Sequence, residues 1–136
     1  MPRITQAELE QIMDRYFPEW RMFCRIEAIG DDSIEIRMPF RKDLVRAGGT
    51  IAGPALMGLA DTTAYLLTLL HAGPVPDAAT SNLDIHFLAR PAPADIVAKA
   101  RLLRLGRRLC VCAIDLHSGS DLVAHAVVTY ALPSEA

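Results

Sequence analysis

One apolar segment constrains the fold of this chain more than any other feature of its sequence. Between Pro54 and Leu70, Asp61 is the only charged residue. Gly53 stands at the predicted helix cap and Pro54 at the first helical position, where a missing N–H costs nothing, and Gly73 ends the pattern. A helix that is apolar on nearly every side must be covered on every side. We therefore predict a buried central helix, with a sheet on one side and another partner opposite.

A membrane span is the alternative interpretation of this segment, since seventeen residues reach the lower edge of the required length. The segment contains Asp61, Gly58 and four Thr or Tyr residues, and a long alternating region follows it. These features favour a buried helix, and we predict no membrane partner.

The remaining pattern predicts a helix and six strands. Thr5 and Glu8 form a capping box, and apolar residues recur at helical spacing, so a short N-terminal helix is predicted over 4–17. Alternating polar and apolar residues predict strands over 21–29, 33–38, 80–88, 95–105, 107–116 and 122–132. This order contains no βαβ unit. It predicts an α+β fold in one domain, 1–136, with a single antiparallel sheet around the long helix.

Composition excludes several classes of function. The net charge of −2 gives no cationic field for an electrostatically driven nucleic-acid binder. The three cysteines show no CxxC spacing and the four histidines no HxxxH spacing, so no metal site or cofactor is predicted. The polar first ten residues do not resemble a signal peptide, and the odd cysteine count fits a reducing compartment. We therefore expect a cytoplasmic protein.

Asp61 and Gly53 are the main candidates for chemistry. Burying a carboxylate in apolar surroundings costs free energy, and proteins retain such groups when they are paired or when they are functional. The functional role predicted for Asp61 is that of a general base or a nucleophile. The unsatisfied N–H groups at the start of the helix could stabilise negative charge on a thioester carbonyl. Asp61 lies about 12 Å along the helix from Gly53. If both act on one carbonyl, they must come from two subunits. The structural alternatives are an Asp on an exposed stripe and a plain helix start.

Other candidates carry weaker signals. His117 beside Ser118 and Ser120 is typical of a turn, because no GxSxG elbow is present. Arg104, Arg107 and Arg108 flank the turn at Gly106 and could bind phosphates or simply form a solvated hairpin tip.

Three segments resemble one known family. GGTIAGPALMGLADTTAYL, TSNLDIHFLARPAPADIVAKARLLRLGRRL and VAHAVVTYALP are similar to hotdog-fold acyl-CoA thioesterases of the phenylacetate-pathway (PaaI-like) type. The likeness spans about Asp43 to Pro133. It implies a long helix wrapped by an antiparallel sheet, and subunits whose sheets join edge to edge. It also implies an active site between the helix carboxylate of one subunit and the helix N-terminus of the other.

The resemblance also implies roles for individual residues. Asp61 falls on the catalytic carboxylate, Gly53 on the residue whose N–H polarises the carbonyl, and Thr80 on a position that assists the water. Arg107 and Arg108 fall near the positions that meet the nucleotide of coenzyme A.

This sequence departs from the family pattern N-x-x-G-x-x-H-G-G before the helix. Arg46 replaces the Asn, Ala52 the His and Pro54 the second Gly, whereas Gly49 and Gly53 are retained. The family His helps to position the substrate, and this chain lacks it. Arg46 is a cation that could bind the substrate instead. The departures predict low activity or an altered specificity.

The resemblance therefore predicts a homo-oligomeric thioesterase that hydrolyses a small or medium acyl- or aryl-CoA to the free acid and coenzyme A. A dimer is expected as the minimal active unit, and a tetramer as the assembly. Leu56, Met57 and Tyr65 of the apolar helix are predicted to line the acyl pocket. The main alternative is a non-catalytic acyl-CoA or acyl-carrier binding protein on the same fold. A hotdog dehydratase is disfavoured because no His directly precedes the helix and His71 lies only at its end. A purely structural assembly protein is the most generic alternative.

Overall fold

The computed structural model describes residues 1–134; the last two residues of the predicted domain lie outside this range. Its central element is the long helix α3, Gly53–Ala72. The helix buries twelve of its side chains, among them Leu59, Leu66 and Leu70, which are 0% exposed. The predicted buried helix is confirmed. Ala52, and not Gly53, is the N-cap, so Gly53 is the first helical residue and Pro54 the second. This corrects the predicted cap by one residue, within the usual uncertainty of helix ends.

Two short helices precede the sheet. The helix α1, Gln6–Tyr16, begins at Thr5, whose side chain accepts from the Glu8 N–H while the Glu8 carboxylate accepts from the Thr5 N–H. The predicted capping box is confirmed; such a cap contributes about 1 kcal/mol. The second helix, α2, is a single turn over Trp20–Phe23.

The six strands within residues 1–134 form one antiparallel sheet in the order β1-β2-β4-β5-β6-β3. Their bounds are β1 Arg25–Ile29, β2 Ser33–Met38, β3 Ala79–Phe87, β4 Ile96–Leu105, β5 Leu109–Ser118 and β6 Asp121–Ala131. The predicted α+β architecture is confirmed. Two strand predictions were wrong at their ends: 21–23 belongs to α2 and not to the first strand, and β5 runs two residues later than 107–116.

The sheet packs one face against α3. Alternate residues of β6, such as Ala126, Val128 and Tyr130, are buried on the helix side. Cys110 and Cys112 of β5 point to the same side and are also buried, as predicted for residues two apart on a strand.

The side of α3 away from the sheet is covered by the chain's own N-terminal segment. Leu9 and Met13 of α1 and Trp20 of α2 are buried in the same core cluster as the helix. The Arg3 N–H donates to the Leu70 carbonyl at 2.7 Å, which ties the N-terminus to the far end of α3. The second partner of the helix is therefore intramolecular beyond its first turns, whereas Pro54 and Met57 at its N-terminal end are exposed. No helix within residues 1–134 is long and apolar enough to cross a membrane.

Candidate active site

The Asp61 carboxylate has two oxygens in different surroundings. Oδ1 accepts hydrogen bonds from Thr80 Oγ1 and from the Tyr130 hydroxyl, each at 2.8 Å. Oδ2 accepts no hydrogen bond from the part of the chain that the structure describes. One oxygen is thus held in place while the other is available to a ligand.

The sheet register brings both hydroxyls to Asp61. Thr80 of β3 and Tyr130 of β6 are direct cross-strand partners, so their side chains lie on the same face of the sheet, beneath α3. The Tyr130 hydroxyl also lies 3.2 Å from the Asp61 carbonyl oxygen. Burial raises the pKa of the Tyr130 phenol; the Thr80 hydroxyl lowers this pKa in part, and the hydrogen bond to Asp61 raises it. Tyr130 therefore stays protonated and donates to the carboxylate.

A cavity of about 420 Å³, the Asp61 cavity, opens beside this carboxylate. It lies between α3, the start of β3 and the N-terminal helices. Its lining is Met13, Phe17, Trp20, Phe23, Asp61, Thr62, Tyr65, Ala78, Ala79, Thr80 and Tyr130. Burial raises the pKa of Tyr65 to about 12, and the hydroxyl donates to the Pro76 carbonyl at 2.7 Å. The cavity is thus an apolar chamber with one carboxylate.

A second cavity of about 590 Å³, the Gly53 cavity, lies at the N-terminus of α3. Its lining is Arg46, Ala47, Gly48, Thr50, Ile51, Gly53, Pro54, Leu56, Phe87, Leu88, Ala89, Arg90 and Pro91. Two arginines border it, one before α3 and one after β3. This cavity therefore combines positive charge with the positive end of a helix dipole.

The Gly53 N–H makes no hydrogen bond to any residue in the range 1–134. Ala52 at the N-cap has no side chain that could accept from the first turn. The first N–H groups of a helix have no intrahelical acceptor, so they are available to an oxygen atom of a ligand. Pro54 lacks an N–H, which leaves Gly53 to supply the first donor of the helix.

The two cavities lie towards opposite ends of β3. Thr80 contributes to the Asp61 cavity and Phe87 to the Gly53 cavity. Seven residues of extended strand separate them by about 23 Å. One chain therefore does not bring Asp61 and its own Gly53 to the same substrate atom.

The other predicted binding residues are divided among three places. Tyr65 lines the Asp61 cavity, whereas Arg46, Pro54 and Leu56 line the Gly53 cavity. Met57 is 40% exposed and lines neither of them.

Arg107 and Arg108 are exposed in the turn between β4 and β5, outside both linings. The register Leu109↔Ala131 and Ala131↔Ala79 puts this turn at the Thr80 end of β3. The structure therefore places these two arginines on the same side of the molecule as Asp61.

Sequence analysis missed Tyr130 and Arg90. Tyr130 lies in the quoted segment VAHAVVTYALP, and its helix-facing position follows from the alternation of β6. Its contact with Asp61 depends on the pairing of β3 with β6, two strands that are far apart in the sequence. Arg90 follows the strand that ends beside Gly53, and only the fold brings it next to Arg46. Among residues 1–134, no three His, Cys, Asp or Glu side chains form a group that could hold a metal ion.

Comparisons with known proteins identify the family and the fold of this chain. The family model of the thioesterase superfamily matches residues 48–125. A candidate thioesterase from Silicibacter sp. TM1040 has a crystal structure that is 31% identical, covers 98% of this chain and 95% of its own, and superposes with a TM-score of 0.88.

Two further matches extend the comparison. A candidate esterase of Thermoplasma acidophilum is 27% identical over 108 residues, which are 77% of this chain and 80% of that protein. A mutant of the phenylacetic acid degradation protein PaaI from Thermus thermophilus is 20% identical, covers 85% of this chain and 97% of its own, and has a TM-score of 0.74. At that identity the PaaI match shows a shared fold.

Proposed function

Because this chain belongs to the thioesterase superfamily and is a thioester hydrolase, we propose that its substrates are acyl-CoA thioesters, cleaved to a free acid and coenzyme A. The observation that carries this proposal is the Asp61 carboxylate, with Oδ1 held by two hydroxyls and Oδ2 free beside an apolar cavity. A positioned carboxylate of this kind can take a proton from water or attack the thioester carbonyl itself.

The complete site is proposed to form between two subunits that pair along β3. This strand is an edge of the sheet and is nine residues long. A long edge with unpaired N–H and C=O groups is a template for another strand. A two-fold axis through the middle of β3 would set its Thr80 end beside the partner's Phe87 end, because antiparallel partners run in opposite directions.

This pairing would join one Asp61 cavity to one Gly53 cavity. Thr80 is hydrogen-bonded to Asp61, and the Phe87 ring lies close to the Gly53 backbone, 3.5 Å from where a Cβ would stand. Bringing the two strand ends together therefore brings the carboxylate towards the partner's Gly53. Each dimer would contain two such sites.

The proposed reaction needs only groups of the protein and water. As the water or the Asp61 carboxylate adds to the carbonyl carbon, negative charge grows on the carbonyl oxygen, and the partner's Gly53 N–H stabilises it. The C–S bond then breaks, the thiolate of coenzyme A leaves and takes a proton, and the acid is released. Direct attack by Asp61 would instead form a mixed anhydride as the thiolate leaves, and one water molecule would then hydrolyse the anhydride to the free acid and the Asp61 carboxyl group. Thr80 and Tyr130 hold the carboxylate during these steps, and no metal or organic cofactor takes part.

Arginines are proposed to bind the anionic end of the substrate. Arg46 and Arg90 border the Gly53 cavity, and Arg107 and Arg108 lie at the Thr80 end of β3. Guanidinium groups bind phosphates with two parallel hydrogen bonds, so both places suit a nucleotide.

Two dimers are proposed to form a tetramer through the outer face of the sheet. Val111 of β5 and Val127 of β6 lie on this face, because they alternate with helix-facing residues, and both are half-buried. These side chains offer a small apolar area for a second dimer to cover.

The test measures free-thiol release from acetyl-, butyryl-, octanoyl-, palmitoyl- and benzoyl-CoA with the wild type and Asp61→Asn. We expect the wild type to hydrolyse at least one thioester and Asp61→Asn to lose about 100-fold or more of that rate. Matching circular dichroism and elution volumes would establish that both proteins are folded. Equal rates for the two proteins would contradict the role of Asp61.

The second candidate is that this chain binds acyl-CoAs without cleaving them, and hydrolyses another class of thioester. The observation that favours it is Ala52 at the N-cap, where the resembled family carries a His and this chain has no side-chain cap. This candidate predicts tight binding of the acyl-CoAs by calorimetry with no thiol release from any of them.

A further inference from the structure

We propose that α1 and α2 form the wall that selects the acyl group, and that Phe23 sets the upper limit on its size. The inference rests on the proposed function and names the part of the substrate that the Asp61 cavity holds. Five of the eight aromatic residues in the chain line this one cavity. Three of the five, Phe17, Trp20 and Phe23, come from the N-terminal segment, which lies outside the part matched by the family model.

The charges that line the two cavities indicate which end of the substrate each cavity binds. An acyl-CoA has an apolar acyl end and an anionic nucleotide end, with the thioester between them. Asp61 is the one charged residue among residues 1–134 that lines its cavity, whereas Arg46 and Arg90 border the Gly53 cavity. The apolar end therefore fits the Asp61 cavity, and the thioester carbonyl then lies at the junction, beside the carboxylate.

Phe23 closes this cavity against α3. Its ring lies on the bare backbone of Gly58, with Cζ 3.7 Å from where a Cβ would stand. Gly58 precedes Asp61 and Thr62 by about one turn of the helix, so the ring lies on the same face of α3 as the carboxylate. A group that extends past Asp61 along this face meets the Phe23 ring.

Side-chain contacts between α1 and α2 hold this wall in a fixed position. Trp20 Nε1 donates to Asp14 Oδ1 at 2.8 Å, and Arg21 Nε donates to the same oxygen at 3.0 Å. The Arg21 guanidinium also lies over the Trp20 ring, 4.7 Å from its centroid. These contacts fix α2 on α1, and a fixed wall discriminates by size more sharply than a mobile one.

The volume of the cavity indicates which acyl groups fit. About 420 Å³ is towards the lower end of the range for small-molecule pockets. An octanoyl or an aryl group can be enclosed, whereas a palmitoyl chain would have to pass Phe23. The structure therefore favours medium-length alkyl or aryl thioesters over long-chain ones.

The first test compares kcat/KM for octanoyl- and palmitoyl-CoA in the wild type, Phe23→Leu and Phe23→Ala. We expect the palmitoyl-to-octanoyl ratio to rise about tenfold in Phe23→Ala, with an intermediate value for Phe23→Leu. Phe40→Ala is the matched control, because Phe40 is 38% exposed and lines neither cavity. An unchanged ratio in both Phe23 variants would overturn the inference and leave the proposed hydrolysis intact.

The second test locates the acyl group without any turnover. Trp20 is the only tryptophan of the chain and lines the cavity, so its fluorescence reports on occupancy. With Asp61→Asn, octanoyl-CoA is expected to change this fluorescence and coenzyme A alone to leave it unchanged. Octanoyl-CoA that binds by calorimetry without a fluorescence change would place the acyl group elsewhere. If the wild type hydrolyses nothing, the hydrolysis proposal fails, and this titration still decides where the acyl group binds.

Discussion

At the scale of single residues, the two oxygens of Asp61 have different roles in the proposed mechanism. Oδ1 is held by hydrogen bonds, and Oδ2 is left to react. Both hydroxyl donors reach Oδ1, and the apolar walls of the cavity leave Oδ2 as the accessible oxygen. Thr80 and Tyr130 therefore act through Asp61 and are positioning residues in the proposed mechanism. A free carboxylate would sample several orientations, and most of them would not face the substrate.

Removing either hydroxyl is expected to lower kcat by about ten- to a hundredfold, because a hydrogen bond to a charged group contributes roughly 1.5–3 kcal/mol. The variants are Thr80→Val and Tyr130→Phe, measured for kcat and KM with the substrate that the wild type hydrolyses best. KM should change little, since neither hydroxyl is proposed to bind the substrate.

Thr80→Ser is the control for this pair, because it keeps the hydroxyl that donates to Asp61. It should retain most of the kcat that Thr80→Val loses. Equal losses in Thr80→Ser and Thr80→Val would instead assign the effect to packing of the Thr80 methyl group.

The sequence could identify a site residue only where that residue differs clearly from its neighbours in the chain. Asp61 stands out because it is a single charge in an apolar helix, and this contrast is visible without a fold. Tyr130 carries no such contrast, since a Tyr on a buried strand face is ordinary. Only the pairing of Thr80 with Tyr130 shows that the Tyr130 hydroxyl lies within hydrogen-bonding distance of the Asp61 carboxylate.

At the scale of elements, periodicity predicted the long helix and each strand but not α2. Met22, Cys24 and Ile26 alternate with polar residues, which favours a strand from residue 21 onwards. In the structure, Trp20 is drawn into the core and hydrogen-bonded to Asp14 of α1, and the chain turns helically around it. A tertiary contact thus overrides the alternating pattern over residues 21–23.

The C-terminal end of α3 predicts a sensitivity to acid. His71 is 4% exposed, and its Nε2 has no hydrogen-bond partner within residues 1–134. Burial lowers the pKa of His71, the Met1 amino group lowers it further, and Asp32 partly opposes them. The unfolded chain therefore binds a proton below about pH 6.5, while the folded chain resists it, so the free energy of unfolding falls as the pH drops through that region.

The measurement is urea unfolding of the wild type, His71→Gln and His117→Gln at a series of pH values on either side of about 6.5. Titration of His71 can change the free energy of unfolding by at most about 1.4 kcal/mol per pH unit. We expect His71→Gln to show a shallower acid slope, and His117→Gln to follow the wild type because its side chain is not fully buried. Parallel slopes in all three would exclude His71 as the cause.

At the scale of the whole molecule, the edge strand β3 connects fold and function. It carries Thr80 towards one end and Phe87 at the other, and each belongs to a different cavity. From the rise of the helix alone, the sequence predicted that Asp61 and Gly53 of one chain are too far apart to act on the same carbonyl. It could not predict that β3 is an edge, because strand order depends on long-range pairing.

The two halves of the proposed site can be impaired separately. Gly53→Pro combined with Pro54→Ala moves the proline back by one residue and removes the Gly53 N–H. Proline is tolerated at the first helical position, and the extended backbone of Ala52 (φ −67°, ψ 143°) suits a residue that precedes it. Gly53→Ala combined with Pro54→Ala is the matched control, since it differs at residue 53 only and keeps the N–H.

The proline variant is expected to lose about 100- to 1000-fold in kcat, as for removal of one oxyanion donor, whereas the alanine control should stay near the wild type. Asp61→Asn and the proline variant are then each nearly inactive, for different reasons. Mixing them tests whether one site draws on two chains.

In a mixed dimer, one site would contain both defects and the other would contain neither, because each site takes Asp61 from one chain and Gly53 from the other. Random association makes half of the dimers mixed, so co-expression of Asp61→Asn with the proline variant should restore about a quarter of wild-type activity. Separately purified proteins mixed without subunit exchange should stay inactive. If Asp61 and Gly53 of the same chain served one site, every chain would carry a defect and co-expression would restore nothing. Recovery of activity would therefore demonstrate a site that no single chain contains.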